Sequence, residues 1–244
     1  MSNDCSIHPK QPRRDSRLRF TLRGLLALVT LLCIVLSVWT HRARQQRRLI
    51  ESIRFAGGDV HYDFQLWGDP SKQTQSRIPR WILDRLGEDY FHEVTEVTVK
   101  DPALLPALTR FRRLECLTIF NRSLSDASTP PLARLRKLKA LSVYPDDWGG
   151  AVGPVVTDVG DGTLAMIAEL PTLELANVMG SRITSQGLEL LARSKSLRHL
   201  QIVSYDSSVD GEAAEPFRRM GRAGVYIQRW WPKGGSKVVA DFGP

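Results

Sequence analysis

One spacing recurs along this chain and constrains its fold more than any other feature. "VTEVTV" (94–99), "LECLTI" (114–119), "LKALSV" (138–143), "LELANV" (173–178) and "LRHLQI" (197–202) carry apolar residues at their first, fourth and sixth positions. The last two of these slots alternate with their neighbours, the period of a half-buried strand. The central slot holds Val97, Leu117, Leu141, Ala176 and Leu200, and the next holds Val99, Ile119, Val143, Val178 and Ile202. A degenerate sixth unit, "GVYI", adds Val225 and Ile227. Successive central slots lie 20, 24, 35, 24 and 25 residues apart.

Ahead of each strand-like unit the period changes. Leu104, Leu108 and Phe111, then Leu132 and Leu135, then Leu164, Ile167 and Leu170, then Leu188 and Leu191 fall three or four apart, as on a helix face. One unit is therefore a helix and a strand, neither able to bury its apolar side alone, and stacked neighbours supply a continuous core. A doubly wound parallel sheet also alternates helix and strand. It would carry longer crossover helices and a glycine-rich phosphate loop after an early strand, and the chain has neither.

The stretch "ITSQGLELLARSKSLRHLQI" (183–202) resembles the leucine-rich repeat family, in its subtype of about 24 residues with a consensus near "ITDxGLxxLxxLxxLxxLxL". Ile183, Thr184, Gly187, Leu188, Leu191, Leu197, Leu200 and Ile202 fit; Ser185 stands for the usual Asp and Ser194 for the usual Leu. "LSDASTPPLARLRKLKALSV" (124–143) keeps Leu124, Asp126 and the later leucines but has Thr129-Pro130-Pro131 in place of Gly-Leu. "VTDVGDGTLAMIAELPTLELANV" (156–178) matches through Val156, Thr157 and Asp158, with extra residues after Val159. The whole layout is similar to bacterial membrane-tethered leucine-rich repeat proteins. Their features are an "RFTLRGLLALVTLL"-like leader, a basic helix ending in Gly-Gly, a "VHYDF"-like strand and a "PRWILDRLGEDYF"-like helix. The resemblance implies an α/β fold: a short, curved solenoid with a parallel sheet on the concave face and helices on the convex face. It implies no activity.

The expected organisation is a basic polar leader (1–19), a transmembrane helix (20–41), a basic helix with an α/β lead-in module (42–93), repeats (94–228) and a C-terminal cap or tail (229–244). A Gly-rich insertion over 145–162 interrupts the repeats. Residues 24–40 are 17 uncharged residues, and a helix of that length spans roughly 26 Å, the lower limit for a bilayer. Phe20 and Leu22 extend the span, Arg23 can snorkel, and Trp39 suits an interface. The run is long for a cleaved signal, and "HRARQQRR" follows it where an A-x-A-like site would stand. An uncleaved single-pass anchor is expected. Six basic residues precede it (Lys10 to Arg23) and five follow (Arg42 to Arg54), a slight bias towards a cytoplasmic N-terminus and an exported body.

The formal charge of +8 belongs to the N-terminus: residues 1–54 hold 11 Lys/Arg and 3 Asp/Glu, whereas 55–244 hold 23 of each sign. A neutral body offers no basic footprint for nucleic acid. Cys5, Cys33 and Cys116 make no disulfide framework, and Leu32 ahead of Cys33 does not suit lipid attachment. There is no P-loop, G-x-S-x-G, H-E-x-x-H or paired C-x-x-C. His61, Asp63 and His92 lack ligand spacing for a metal, and "DVGDGT" lacks the oxygen ligands of a calcium loop. No enzyme, cofactor, metal or small-molecule ligand is expected. An enzyme, or a regulator of an envelope enzyme, is the alternative, and converging acid and base groups in one pocket would favour it.

Residues between the buried slots point to the other face of the sheet. One outward column reads Glu96, Cys116, Ala140, Leu175, His199; the next reads Thr98, Thr118, Ser142, Asn177, Gln201; a third reads Lys100, Phe120, Tyr144, Met179, Val203. An uncharged hydrogen-bonding column beside an apolar one suits a protein or peptide surface. Phe120, Tyr144 and Met179 are the expected anchors, Asn177 and Gln201 the expected hydrogen-bonding groups, and Trp148 in the insertion is expected to close over one edge. Trp230-Trp231 are expected to cover the last repeat.

Overall fold

The computed structural model describes residues 22–63, 78–87, 90–146, 157–210, 212–219, 224–230 and 236–243. The chain divides into two compact units, Met1–His41 and Arg42–Pro244.

In the first unit the described residues belong to helix α1 (Leu22–Phe55), which runs on into the second. Its large apolar side chains from Leu25 to Trp39 are 44–60 % exposed. They lie on every side of the helix, and such a helix needs apolar surroundings. Among the described residues it is the one helix long and apolar enough to cross a membrane.

The second unit begins with the last turns of α1, which bury Leu49, Ile50 and Ile53 in the main hydrophobic cluster. The helix stops at the expected Gly-Gly pair, for two different reasons. Gly57 has φ +76°, which a side chain would strain. A Cβ on Gly58 would lie 2.3 Å from the Thr98 carbonyl oxygen, so a side chain would push the helix end off the sheet.

Among the described residues nine strands form one mixed, mostly parallel sheet: β1 (Asp59–Tyr62), β2 (Val94–Val99), β3 (Cys116–Phe120), β4 (Ala140–Tyr144), β5 (Thr157–Gly160), β6 (Leu175–Arg182), β7 (His199–Ser204), β8 (Val225–Trp230) and β9 (Ser236–Asp241). The order is β1-β2-β3-β4-β6-β7-β8-β9, with β5 beside β6; β1 and β9 pair antiparallel with their neighbours and the other pairs are parallel. Val97, Leu117, Leu141, Ala176, Leu200 and Val225 stand in one register row across six strands. All are buried, in one cluster with the apolar side chains of the helical segments. Each such Leu contributes about 1.5–3 kcal/mol by burial.

The helical segments differ along the chain. Residues 102–108 form a 3₁₀ turn (Pro102–Leu104) running into a four-residue helix (Leu105–Leu108), and Pro130–Arg134 is another 3₁₀ segment. Each of these segments has proline at its first positions, and Pro106, four residues after Pro102, lacks the N–H that an α-helix continuing from Pro102 would need there. The buried stripe here is Leu105, Leu108 and Phe111; Leu104, the expected member, is only partly buried. Asp161–Ala168 and Ser185–Ala192, free of proline, are eight-residue α-helices. A short helix over Glu215–Arg219 buries Phe217 in the last crossover.

Two expectations need correction. The insertion does not extend to 162, because 157–160 is a strand and 161–168 a helix. Val159, rather than Val156, occupies the place of Ile183: Leu124, Val159 and Ile183 are each buried and each stand 14 residues before Leu138, Leu173 and Leu197. At the C-terminal end, expected as a cap or tail, 236–241 adds an antiparallel strand that pairs with Tyr226–Trp230. Trp231 lies outside the described residues.

This corrected alignment exposes a ladder of side chains between crossovers. Asp126 accepts hydrogen bonds from the backbone N–H of Gly160 (2.8 Å), Gly162 (3.1 Å) and Thr163 (3.1 Å) and from the Thr163 hydroxyl (2.6 Å). One position on, Asp161 accepts from the Thr184 N–H (2.8 Å) and hydroxyl (2.6 Å). Each carboxylate caps the start of the following helix, where orphan N–H groups need acceptors. A Cβ on Gly187 would lie 2.0 Å from Asp161 Oδ1. That glycine is there to admit the preceding carboxylate. Burial pushes the Asp126 carboxyl up, but the hydrogen bonds from Thr163, Gly160 and Gly162 outweigh it and hold it below the ordinary aspartate value.

Candidate functional site

The face of the sheet opposite the helical segments is built by the alternation of the strands. Thr98, Thr118, Ser142, Asn177, Gln201 and Tyr226 share one register row. Gln201 is exposed and the other five are half-buried. The row carries no formal charge. Asn177 donates from Nδ2 to Ser142 Oγ at 3.4 Å, so neighbouring members interact along it.

Phe120 and Tyr144 are cross-strand partners, half-buried, with ring centroids 5.6 Å apart and planes tilted by 31°. This is an aromatic contact of ordinary geometry. Met179 departs from expectation. It is 4 % exposed and its row neighbour Val203 is 2 % exposed, so neither is a surface anchor. Met179 lies on the stretch of β6 beside which strand β5 is added. β4 pairs with β6 through Val178, and from Gly180 onward β5 takes over that side while β7 flanks the other. The Thr157 hydroxyl donates to the Met179 carbonyl oxygen.

A shallow depression on this face is lined by Asn177, His199, Gln201, Tyr226 and Gln228. It joins Asn177 and Gln201, both expected at the surface, with Tyr226 and Gln228, which the outward columns did not include. Their signal was the "GVYI" unit: once Val225 and Ile227 take the buried slots, Tyr226 and Gln228 fall outward by alternation. Trp148, the remaining candidate, lies outside the described residues.

At the other end of the sheet, His61 stands opposite Glu96 and its Nε2 is 3.3 Å from Asp59 Oδ2. Burial raises the Glu96 carboxyl above its usual value; His61 opposes the shift and Asp59 adds to it. Cys116, next to Glu96 in register, has its thiol raised by burial and then by Glu96 and Glu115, with Lys139 opposing. A raised thiol is a poor nucleophile at neutral pH. His92 Nδ1 meets Asp63 Oδ1 at 3.1 Å, a contact separate from the Asp59–His61 pair. Among the described residues no three His, Cys, Asp or Glu side chains are grouped to hold a metal ion. What the open face offers chemically is directional hydrogen bonding beside an aromatic shelf. Comparison of the chain with protein-family models and with curated proteins gives no match.

Proposed function

We propose that this protein is a single-pass membrane-anchored scaffold whose body is a short leucine-rich repeat solenoid, binding a protein or peptide on the open face of its sheet. The observation that carries the binding proposal is the uncharged row Thr98–Thr118–Ser142–Asn177–Gln201–Tyr226, next to the Phe120–Tyr144 pair. A peptide brings amide donors and acceptors and apolar side chains, and these two rows complement both. The solenoid reading is supported by the sequential parallel order of β2, β3, β4, β6, β7 and β8 and by the repeated Asp-to-next-helix caps. The anchor reading is supported by the exposed apolar span of α1, and the six-to-five basic bias slightly favours a cytoplasmic N-terminus.

The test is site-specific photocrosslinking in native membranes with the full chain. A crosslinker replacing Gln201 on the open face should trap a discrete partner, and one replacing exposed Glu189 on helix Ser185–Ala192 should not. Tyr144→Ala should weaken that capture by about 1–2 kcal/mol with the fold intact. Crosslinking from Glu189 alone, or undiminished capture by a Tyr144→Ala protein, refutes the binding face.

A further inference from the structure

We propose that the exposed arginines at the start of the second unit, Arg42, Arg44 and Arg48, bind the anionic headgroups of the membrane that holds the apolar span. The inference rests on the anchor reading and goes beyond it, because an apolar span is indifferent to headgroup charge. The last turns of α1 have two unlike faces. Leu49, Ile50 and Ile53 are buried in the main hydrophobic cluster, and Gln46 Nε2 donates to the His92 carbonyl at 3.3 Å, which fixes this helix on the body. Arg42, Arg44, Arg47 and Arg48 are all exposed, with Glu51 the one carboxylate in the segment. Glu51 is taken by Arg47 at 3.0 Å. The other three guanidinium groups leave the surface with a net positive charge in a body whose remaining residues, 55–244, balance to zero.

Charge and tether together select the occupant. Arg42 and Arg44 follow Thr40 by two and four residues, so the chain itself keeps them within about 14 Å of the apolar stretch. On the helix that they share the rise of about 1.5 Å per residue brings this to about 6 Å along the axis, inside the roughly 8 Å reach of surface charge in physiological salt. A headgroup phosphate is then the anion at the highest effective concentration, and a guanidinium binds it through two parallel N–H donors. At an anionic cytoplasmic leaflet each basic residue strengthens the attraction by roughly fivefold, and the same electrostatics holds at either leaflet that carries anionic lipid.

The full chain, solubilised from vesicles of phosphatidylcholine with about one-third phosphatidylglycerol and examined by native mass spectrometry, tests this. The wild type should retain phosphatidylglycerol over phosphatidylcholine. The triple variant Arg42→Gln, Arg44→Gln, Arg48→Gln should lose at least about fivefold of that preference, and the corresponding triple Lys variant should keep most of it. Since all three side chains are exposed, the fold is expected to survive, and circular dichroism checks it. Equal retention of phosphatidylglycerol by the wild type and the Gln variant overturns the inference and leaves the anchor standing. Extraction of the wild type from vesicles by carbonate overturns the anchor and the inference together.

Discussion

Gly187→Ala should destabilise this protein although it replaces a helical glycine by the best helix former. In an open helix the exchange gains about 1 kcal/mol. Here the new Cβ would stand 2.0 Å from Asp161 Oδ1 and 2.7 Å from its Cγ. The carboxylate must swing away, and in doing so it releases the Thr184 N–H at 2.8 Å and hydroxyl at 2.6 Å. Hydrogen bonds to a charged group contribute about 1.5–3 kcal/mol each when buried. For this half-exposed pair about 2–3 kcal/mol in total is reasonable, leaving a net loss of about 1–2 kcal/mol. The decisive step is a double-mutant cycle. In an Asp161→Ala background the cap is already absent and the nearest remaining atom is the Cβ of residue 161, at 3.1 Å. There Gly187→Ala should stabilise by about 0.5–1 kcal/mol. Urea unfolding of residues 42–244, followed by far-ultraviolet circular dichroism, measures all four corners. A gain in the wild-type background, or the same loss in both backgrounds, refutes the steric account of this glycine.

Other outcomes follow from the same structure. Asp126 has a lowered carboxyl value, so its contribution is complete above the unfolded value near pH 4 and is lost as pH falls through the folded value; Asp126→Asn should lower stability at pH 7 and flatten the decline below about pH 4, read from urea midpoints against pH. Leu141→Ala removes a fully buried side chain from the middle of the register row and should cost about 2–5 kcal/mol by the same unfolding assay. Cys116 is the single cysteine of residues 42–244 and its thiol is raised, so iodoacetamide at pH 8 should modify it more slowly than a free cysteine, with urea restoring the ordinary rate.

Much of the sheet was legible because strand burial is a local, period-two property. The spacing of Val97, Leu117, Leu141, Ala176, Leu200 and Val225 anticipated the register row that the strands adopt. Local chemistry likewise announced the apolar helix and its Gly57-Gly58 stop. Helical stripes were legible as apolar spacing but not as helix length, because leucines three or four apart fit a single 3₁₀ turn as well as an α-helix.

The candidate surface divides in the same way. Phe120, Tyr144, Asn177 and Gln201 could be assigned to the open face because alternation on their own strands puts them there. Met179 obeys the same alternation and is buried all the same, which the period of its own strand does not announce. The match of Asp161 to Gly187 joins residues 26 positions apart through a gap one carboxylate wide. Period and composition report what a residue requires of its surroundings, whereas these features depend on which distant segment arrives to supply them. That is decided only when the strands are laid side by side.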